Sequence, residues 1–334
     1  DWIEEINNWP DSVYVVQNIK ILFDPVKDSL ITGRAFEKGW EPAKIVTTIH
    51  KKMDVTNWEF ESAFGTSEAR AIKNIHFMQP VRLSDYKGLG VAIVNSIFEG
   101  QFSFSYQYRY SYFHLISCKF EKWVGLFDFE AESLVNIEES TFMDSFQVTR
   151  SSGRPFLNLD QSVFQRIFLG GSQLKGLEIR ESKIENIILQ EAIIETNAYL
   201  VENEIQYIEV AGAQLPVENT YIPFKEISGK LYVDILSRRN PYPNKYFLTD
   251  TLDFSQTEEY DLLIASYKLL LSRYQNRGDQ DSYNACYVEL KDIETRRLEY
   301  LFEETPSFKG FFTWKINQFL KVFSSYGTEP AKAV

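Results

Sequence analysis

The sequence predicts a mainly β chain with an α-helical C-terminal part. The β part is a solenoid of short stacked strands behind a β-rich segment. The α part is a helical hairpin followed by an amphipathic helix. Three observations carry this reading. Apolar residues recur every five positions from Leu159 onward. Serine-aromatic pairs recur every 22 residues before that. From Glu258 the apolar spacing changes to threes and fours, the period of a helix.

The five-residue series runs Leu159, Phe164, Leu169, Leu174, Ile179, Ile184, Leu189, Ile194 and Tyr199. After one inserted residue it resumes at Ile205, Val210 and Leu215. A helix steps by three and four and a half-buried strand by two, so neither fits. Two residues before each lies a second series, Leu157, Ser162, Ile167, Ser172, Leu177, Ser182, Ile187 and Ala192, alternating large and small. Residues two apart in extended chain point the same way. Each five-residue unit is thus a short extended piece with two inward side chains and a bend. Four such pieces close a square, and the next coil stacks on it by parallel pairing about 4.8 Å higher. Small residues fit where the interior is crowded. The residues between, such as Glu178, Lys183 and Glu185, are charged and face outward.

Upstream, Ser96/Phe98, Cys118/Phe120, Ser140/Phe142 and Ser162/Phe164 keep the grammar at 22 residues, which puts two extra residues in each early coil. Residues 96–215 hold five to six coils, a rod of roughly 25–30 Å. Cys118 occupies a serine slot and reads as a buried small residue. On these residues the chain resembles the pentapeptide-repeat family, with Phe, Ile and Tyr replacing much of the family's usual composition. The resemblance implies a right-handed quadrilateral β-helix.

Residues 1–95 lack the repeat and read as a β-rich N-terminal cap, either separate or continuing the helix with irregular coils, since a solenoid end exposes unpaired backbone and an apolar interior. Residues 216–258, rich in Pro, Asn and Tyr, read as a closing coil and connector. Residues 259–304 read as an antiparallel helical hairpin. Its first apolar face is Leu262, Leu263, Tyr267, Leu270, Leu271 and Tyr274. Its second is Tyr283, Tyr287, Leu290, Ile293 and Leu298. "NRGDQD" at 276–281 is the turn.

Residues 305–334 carry four Lys and one Glu, a net of +3 (4 − 1), in a chain whose formal charge is −12. Phe312, Ile316, Phe319 and Phe323 fall at steps of four, three and four, with Phe311, Trp314 and Lys315 interleaved. An amphipathic helix of large aromatics and lysines suits a membrane interface or a protein partner. These seven residues are the candidate membrane or partner interface. The hairpin, this helix and the following Tyr326, Gly327 and Pro330 resemble the segment before the pore in bacterial pentapeptide-repeat ion-channel-like proteins. In those proteins a transmembrane helix follows shortly afterwards. The resemblance implies that the chain is the soluble part of a longer membrane protein of the bacterial cell envelope. The opening Asp1 favours processing and the periplasmic side.

Chemistry is sparse. The three histidines, His50, His76 and His114, have no metal-type spacing, and no phosphate-binding loop or nucleophile elbow occurs. A His114–Cys118 dyad is conceivable by proximity alone. No catalytic, cofactor or metal residue is assigned, and the chain reads as a non-enzyme. Net charge −12 argues against nucleic-acid binding, which needs a basic face. The tyrosines 106, 108, 110 and 112 alternate as if on one strand face, either an aromatic ladder or a stripe for a sugar or peptide. The expected function is a scaffold or sensor domain acting by protein–protein association with a partner, a second copy or its own membrane segment. The alternatives are a free DNA-mimicking or inhibitory binding module and a polysaccharide-binding β-helix.

Overall fold

The computed structural model describes residues 2–17, 20–23, 47–56, 59–62, 70–86, 90–106, 112–127, 133–149, 153–228, 231–232 and 254–328. Its β part is a solenoid in which every strand pairing is parallel. One eight-stranded sheet stacks Arg70–Lys73, Gly90–Val94, Tyr112–Ile116, Leu134–Glu138, Phe156–Asp160, Gly176–Arg180, Ala198–Val201 and Thr220–Tyr221 in chain order. A longer, thirteen-stranded sheet includes Val13–Gln17, Lys52–Thr56, Val81–Tyr86, Phe102–Tyr106, Val124–Phe127, Thr141–Thr149, Val163–Phe168, Lys183–Ile188 and Glu204–Glu209. Stacking therefore reaches back before Ser96, into the segment expected to be a cap.

The five-residue series is the core. Leu159, Phe164, Leu169, Leu174, Ile179, Ile184, Leu189 and Ile194 are at most 3% exposed, and so are Leu157, Ile167, Leu177, Ile187 and Ala192. Tyr199 departs from the expectation and is half-buried. Ala198 and Leu200 take the inward slots instead, pairing with Leu177 and Ile179. The inserted residue thus lies before Ala198, in the exposed corner around Glu195 and Thr196, where an extra residue does not disturb the packed interior.

One corner of each coil shows why serine recurs. Asn74, Asn95, Ser117, Glu139, Gln161, Glu181 and Glu202 form a column with φ between 46° and 60°. Left-handed backbone costs a non-glycine residue roughly 1–2 kcal/mol. It is held here by hydrogen bonds to the next coil. The N–H of Gln161, for example, donates to the Arg180 carbonyl at 3.0 Å, and that of Glu181 to the Val201 carbonyl at 3.2 Å. The next residue is the inward serine in four coils, Ser96, Ser140, Ser162 and Ser182, and Ile75, Cys118 and Asn203 hold that place in the others. The Ser140 N–H donates to Ser162 Oγ at 3.0 Å, and Ser162 N–H to Ser182 Oγ at 3.1 Å. Each hydroxyl in turn donates to the carbonyl two residues back, as Ser140 does to Glu138 at 2.9 Å. The hydroxyl is therefore a rung in a buried polar ladder as well as a small filler. Two residues further on, Phe77, Phe98, Phe120, Phe142 and Phe164 stack face to face with ring centroids 4.6–4.9 Å apart.

Both ends are covered. Helix α1 (Trp2–Asn8) buries Ile6 at the first coils, and the Asn7 side chain bonds to the Thr48 carbonyl and the His50 N–H. At the other end stand helices α2 (Thr257–Arg277) and α3 (Gln280–Glu304). All the stripe residues expected on α2 are buried except the half-buried Leu262; on α3, Leu290 and Ile293 are buried and Tyr283, Tyr287 and Leu298 half-buried. The Tyr274 hydroxyl donates to the Ile222 carbonyl at 2.7 Å, and Arg273 to that of Leu215 at 2.9 Å. Solenoid and hairpin share one hydrophobic core. The "RGD" triplet is spent inside this joint. Arg277 lies over the Tyr221 ring at 4.1 Å, Gly278 adopts φ 75°, and the Asp279 carboxylate caps α3 through the Ser282 N–H. The Pro-rich "NPYPNKYF" lies outside the described residues.

Candidate functional site

The surface feature that packing leaves unexplained is helix α4 (Phe308–Ser324). Ser307 caps its start, accepting from the Gly310 N–H at 3.0 Å. The helix runs back along α3, because Phe302 near the end of α3 stacks on Phe311 and Trp314, while Asp292, ten residues earlier, meets the far end of α4. The Asp292 carboxylate accepts from Lys321 Nζ at 2.6 Å and from the Tyr326 hydroxyl at 2.8 Å. Ser325 and Tyr326, both left-handed, turn the chain back so that this hydroxyl reaches α3, where it also meets Thr295 at 3.1 Å.

The other side of α4 is exposed. Phe308 is 81% exposed, Val322 73%, Phe319 56%, Ile316 53% and Phe312 50%, and Leu320 and Phe311 also remain exposed. At 3.6 residues per turn, Phe308, Phe312, Ile316 and Phe319 share one face, and Lys309 and Lys315 lie on either side of it. Lys315 Nζ sits 3.6 Å from the Trp314 ring centroid. The Trp314 indole N–H is buried without a hydrogen-bond partner among the described residues. Of the expected interface, Phe311, Phe312, Lys315, Ile316 and Phe319 are exposed, while Trp314 is half-buried against Phe302. The Phe323 side chain lies outside the described residues. Phe308, Leu320 and Val322 belong to the exposed surface and were not singled out by spacing, which followed one stripe on a helix that is apolar over about half its circumference.

The tyrosine row does not share one strand. Tyr106 ends a strand of the longer sheet and Tyr112 begins one of the eight-stranded sheet, so the chain changes sheets between them. Tyr108 and Tyr110 lie outside the described residues. Tyr112 covers Gly90 on the paired strand, where an added Cβ would come within 2.4 Å of its ring.

Cys118 is buried in the serine column with its thiol pointing at the Ile116 and Ile93 carbonyls, and burial pushes that thiol up to about 12. Burial likewise lowers the pKa of His114, beside Asn136. Neither group is tuned as a nucleophile and base near neutral pH. Among the described residues no three His, Cys, Asp or Glu side chains are grouped to hold a metal, and no helix is long and apolar enough to cross a membrane. No family model, curated protein or solved structure matches the chain.

Proposed function

We propose that this chain is a non-catalytic scaffold domain of a bacterial membrane protein of ion-channel type, held at the membrane surface through α4 and working by association. The observation that carries the reading is the exposed face of Phe308, Phe312, Ile316 and Phe319 between Lys309 and Lys315. Such a helix lies in the interface with rings among the acyl chains and ammonium groups at the phosphates. The lysine-rich end suits anionic lipid, which the remainder of a −12 chain would repel. The packing behind it supports a mechanical role. Asp292 and Phe302 fix α4 to α3, and Tyr274 and Arg273 fix the hairpin to the last coils, so a load on the helix reaches the rod through these contacts.

Vesicle flotation tests this. The protein should float with vesicles containing anionic lipid and less with purely zwitterionic ones. Fully burying one Phe side chain is worth about 1.5–3 kcal/mol, and these are half-exposed already. Phe312→Ser with Phe319→Ser should therefore weaken binding by about 10- to 100-fold. Failure of the unaltered chain to float with any vesicle, or dimers through the same face that the double variant abolishes, would replace the membrane with a protein partner.

A further inference from the structure

We infer that the outer face of the longer sheet, near its N-terminal end, binds a pyranose ring of a neutral glycan. The inference is independent of the membrane reading. Strand pairing places Asp54, Arg82, Ser103 and Gly125 side by side across four neighbouring strands. At about 4.8 Å per strand, the Arg82-to-Gly125 part of this row is about 10 Å long, the scale of a sugar unit and its linkages. Each position offers a different chemistry. Arg82 is 62% exposed and only loosely paired with Asp54, at 3.9 Å. The Ser103 hydroxyl engages no protein group among the described residues. Gly125 supplies no side chain, and the rings of Trp123 and Phe127 lie over it, each within 2.5 Å of where a Cβ would stand.

Those rings are two residues before and two after Gly125, on its own face of the strand. Two other strand glycines are covered from the paired strand, Gly90 by Tyr112 and Gly176 by Phe156. At Gly125 two half-buried rings, 5.6 Å apart, instead border a hollow of about 250 Å³ whose other lining includes Arg82, Ser84, Ser103 and Ser105. Ser84 and Ser105 are held by Thr56 and by the Asp85 N–H, which fixes the polar side of the hollow. Flat rings beside a hydroxyl, a guanidinium and a carboxylate match a pyranose, which has an apolar C–H face and a rim of hydroxyls that both donate and accept. Asp54 in the row and the overall charge of −12 select against acidic sugars.

Native gels cast with laminarin, mannan or galactomannan, with alginate and heparin as acidic controls, test the inference. At least one neutral polysaccharide should retard the chain. Trp123→Ala should weaken that retardation about tenfold. Ser103→Gln, which fills the hollow from an outward position, should abolish it while leaving thermal unfolding unchanged. Ser103→Gln decides the matter if Trp123→Ala does not fold. No retardation by any neutral polysaccharide, retardation by the acidic controls alone, or equal retardation of a folded Ser103→Gln would overturn it.

Discussion

The Glu226 carboxylate accepts the backbone N–H of Asn203 at 2.9 Å, and its other oxygen accepts that of Glu202 at 3.0 Å. One coil earlier the equivalent donors, Ser182 and Glu181, bond to the Asn203 side chain and the Val201 carbonyl. Glu226 thus supplies from one side chain what a further coil would supply from two groups. It sits in a 3₁₀ turn, Phe224–Glu226, that also bonds to the hairpin through Ser282. The polar ladder thus ends with both of these donors paired, and a paired donor offers no template to another strand.

Glu226→Ala should therefore orphan the Asn203 amide at the end of the polar ladder and leave the exposed Glu202 amide to water. Leaving a buried donor unpaired costs about 1–3 kcal/mol. Urea unfolding should show a loss in that range, and hydrogen exchange should accelerate first at the Glu202 and Asn203 amides. Unchanged exchange there would show that the carboxylate does not close the rod.

Ser140→Ala removes a rung in mid-column. The Cys118 N–H, which donates to Ser140 Oγ at 3.1 Å, loses its acceptor. A cost of about 1–3 kcal/mol is expected. Cys118→Ser is the converse, since a hydroxyl donates to the carbonyl two residues back, here that of Ile116, better than a thiol does. It should leave urea stability equal or higher. A large destabilisation on Cys118→Ser would mean that the slot is chosen for thiol volume.

Phe120 is the middle ring of the five-ring stack, with neighbours at 4.8 and 4.9 Å. Phe120→Ala should cost about 3–5 kcal/mol, the range for a buried ring that leaves a cavity. Phe120→Ile should cost less than half of that, because Ile184 and Ile205 fill the same column further along the rod. Comparable losses for both variants would show that stacking, and not volume, stabilises the column.

The core of this fold was legible because each inward residue repeats at a fixed distance. Burial in a coil admits no drift, so Leu159 through Ile194 could be read one by one. What escaped depends on where the chain meets itself in space. The carboxylates of Glu226 and Asp292 are ordinary acids in sequence, and nothing near either marks it as a cap or a clasp. On α4, Phe302 decides which aromatic side faces α3, and that choice is invisible in a helix with rings over half its circumference. The row from Asp54 to Gly125 joins residues separated by about one coil each, which no local motif records.

Two buried or crowded groups give the rod a pH dependence of opposite sign. Asp160 has its pKa raised by burial, then by Glu181 and Glu138. Its protonated form is favoured in the folded chain, so its contribution is greatest below the ordinary carboxylate range and is lost as pH rises through the folded value. Asp160→Asn should raise the melting temperature at pH 7, with the gain vanishing in acid. His114 has its pKa lowered from 6.5 by burial. The unfolded chain takes up that proton first, so the contribution is full above about 6.5 and falls as pH drops toward the folded value. His114→Gln should flatten the decline in melting temperature between pH 7 and 5 while leaving the Asp160 effect in place. Melting curves of the two single variants and the double variant separate the terms. A His114→Gln profile parallel to that of the unaltered chain would place the proton uptake elsewhere.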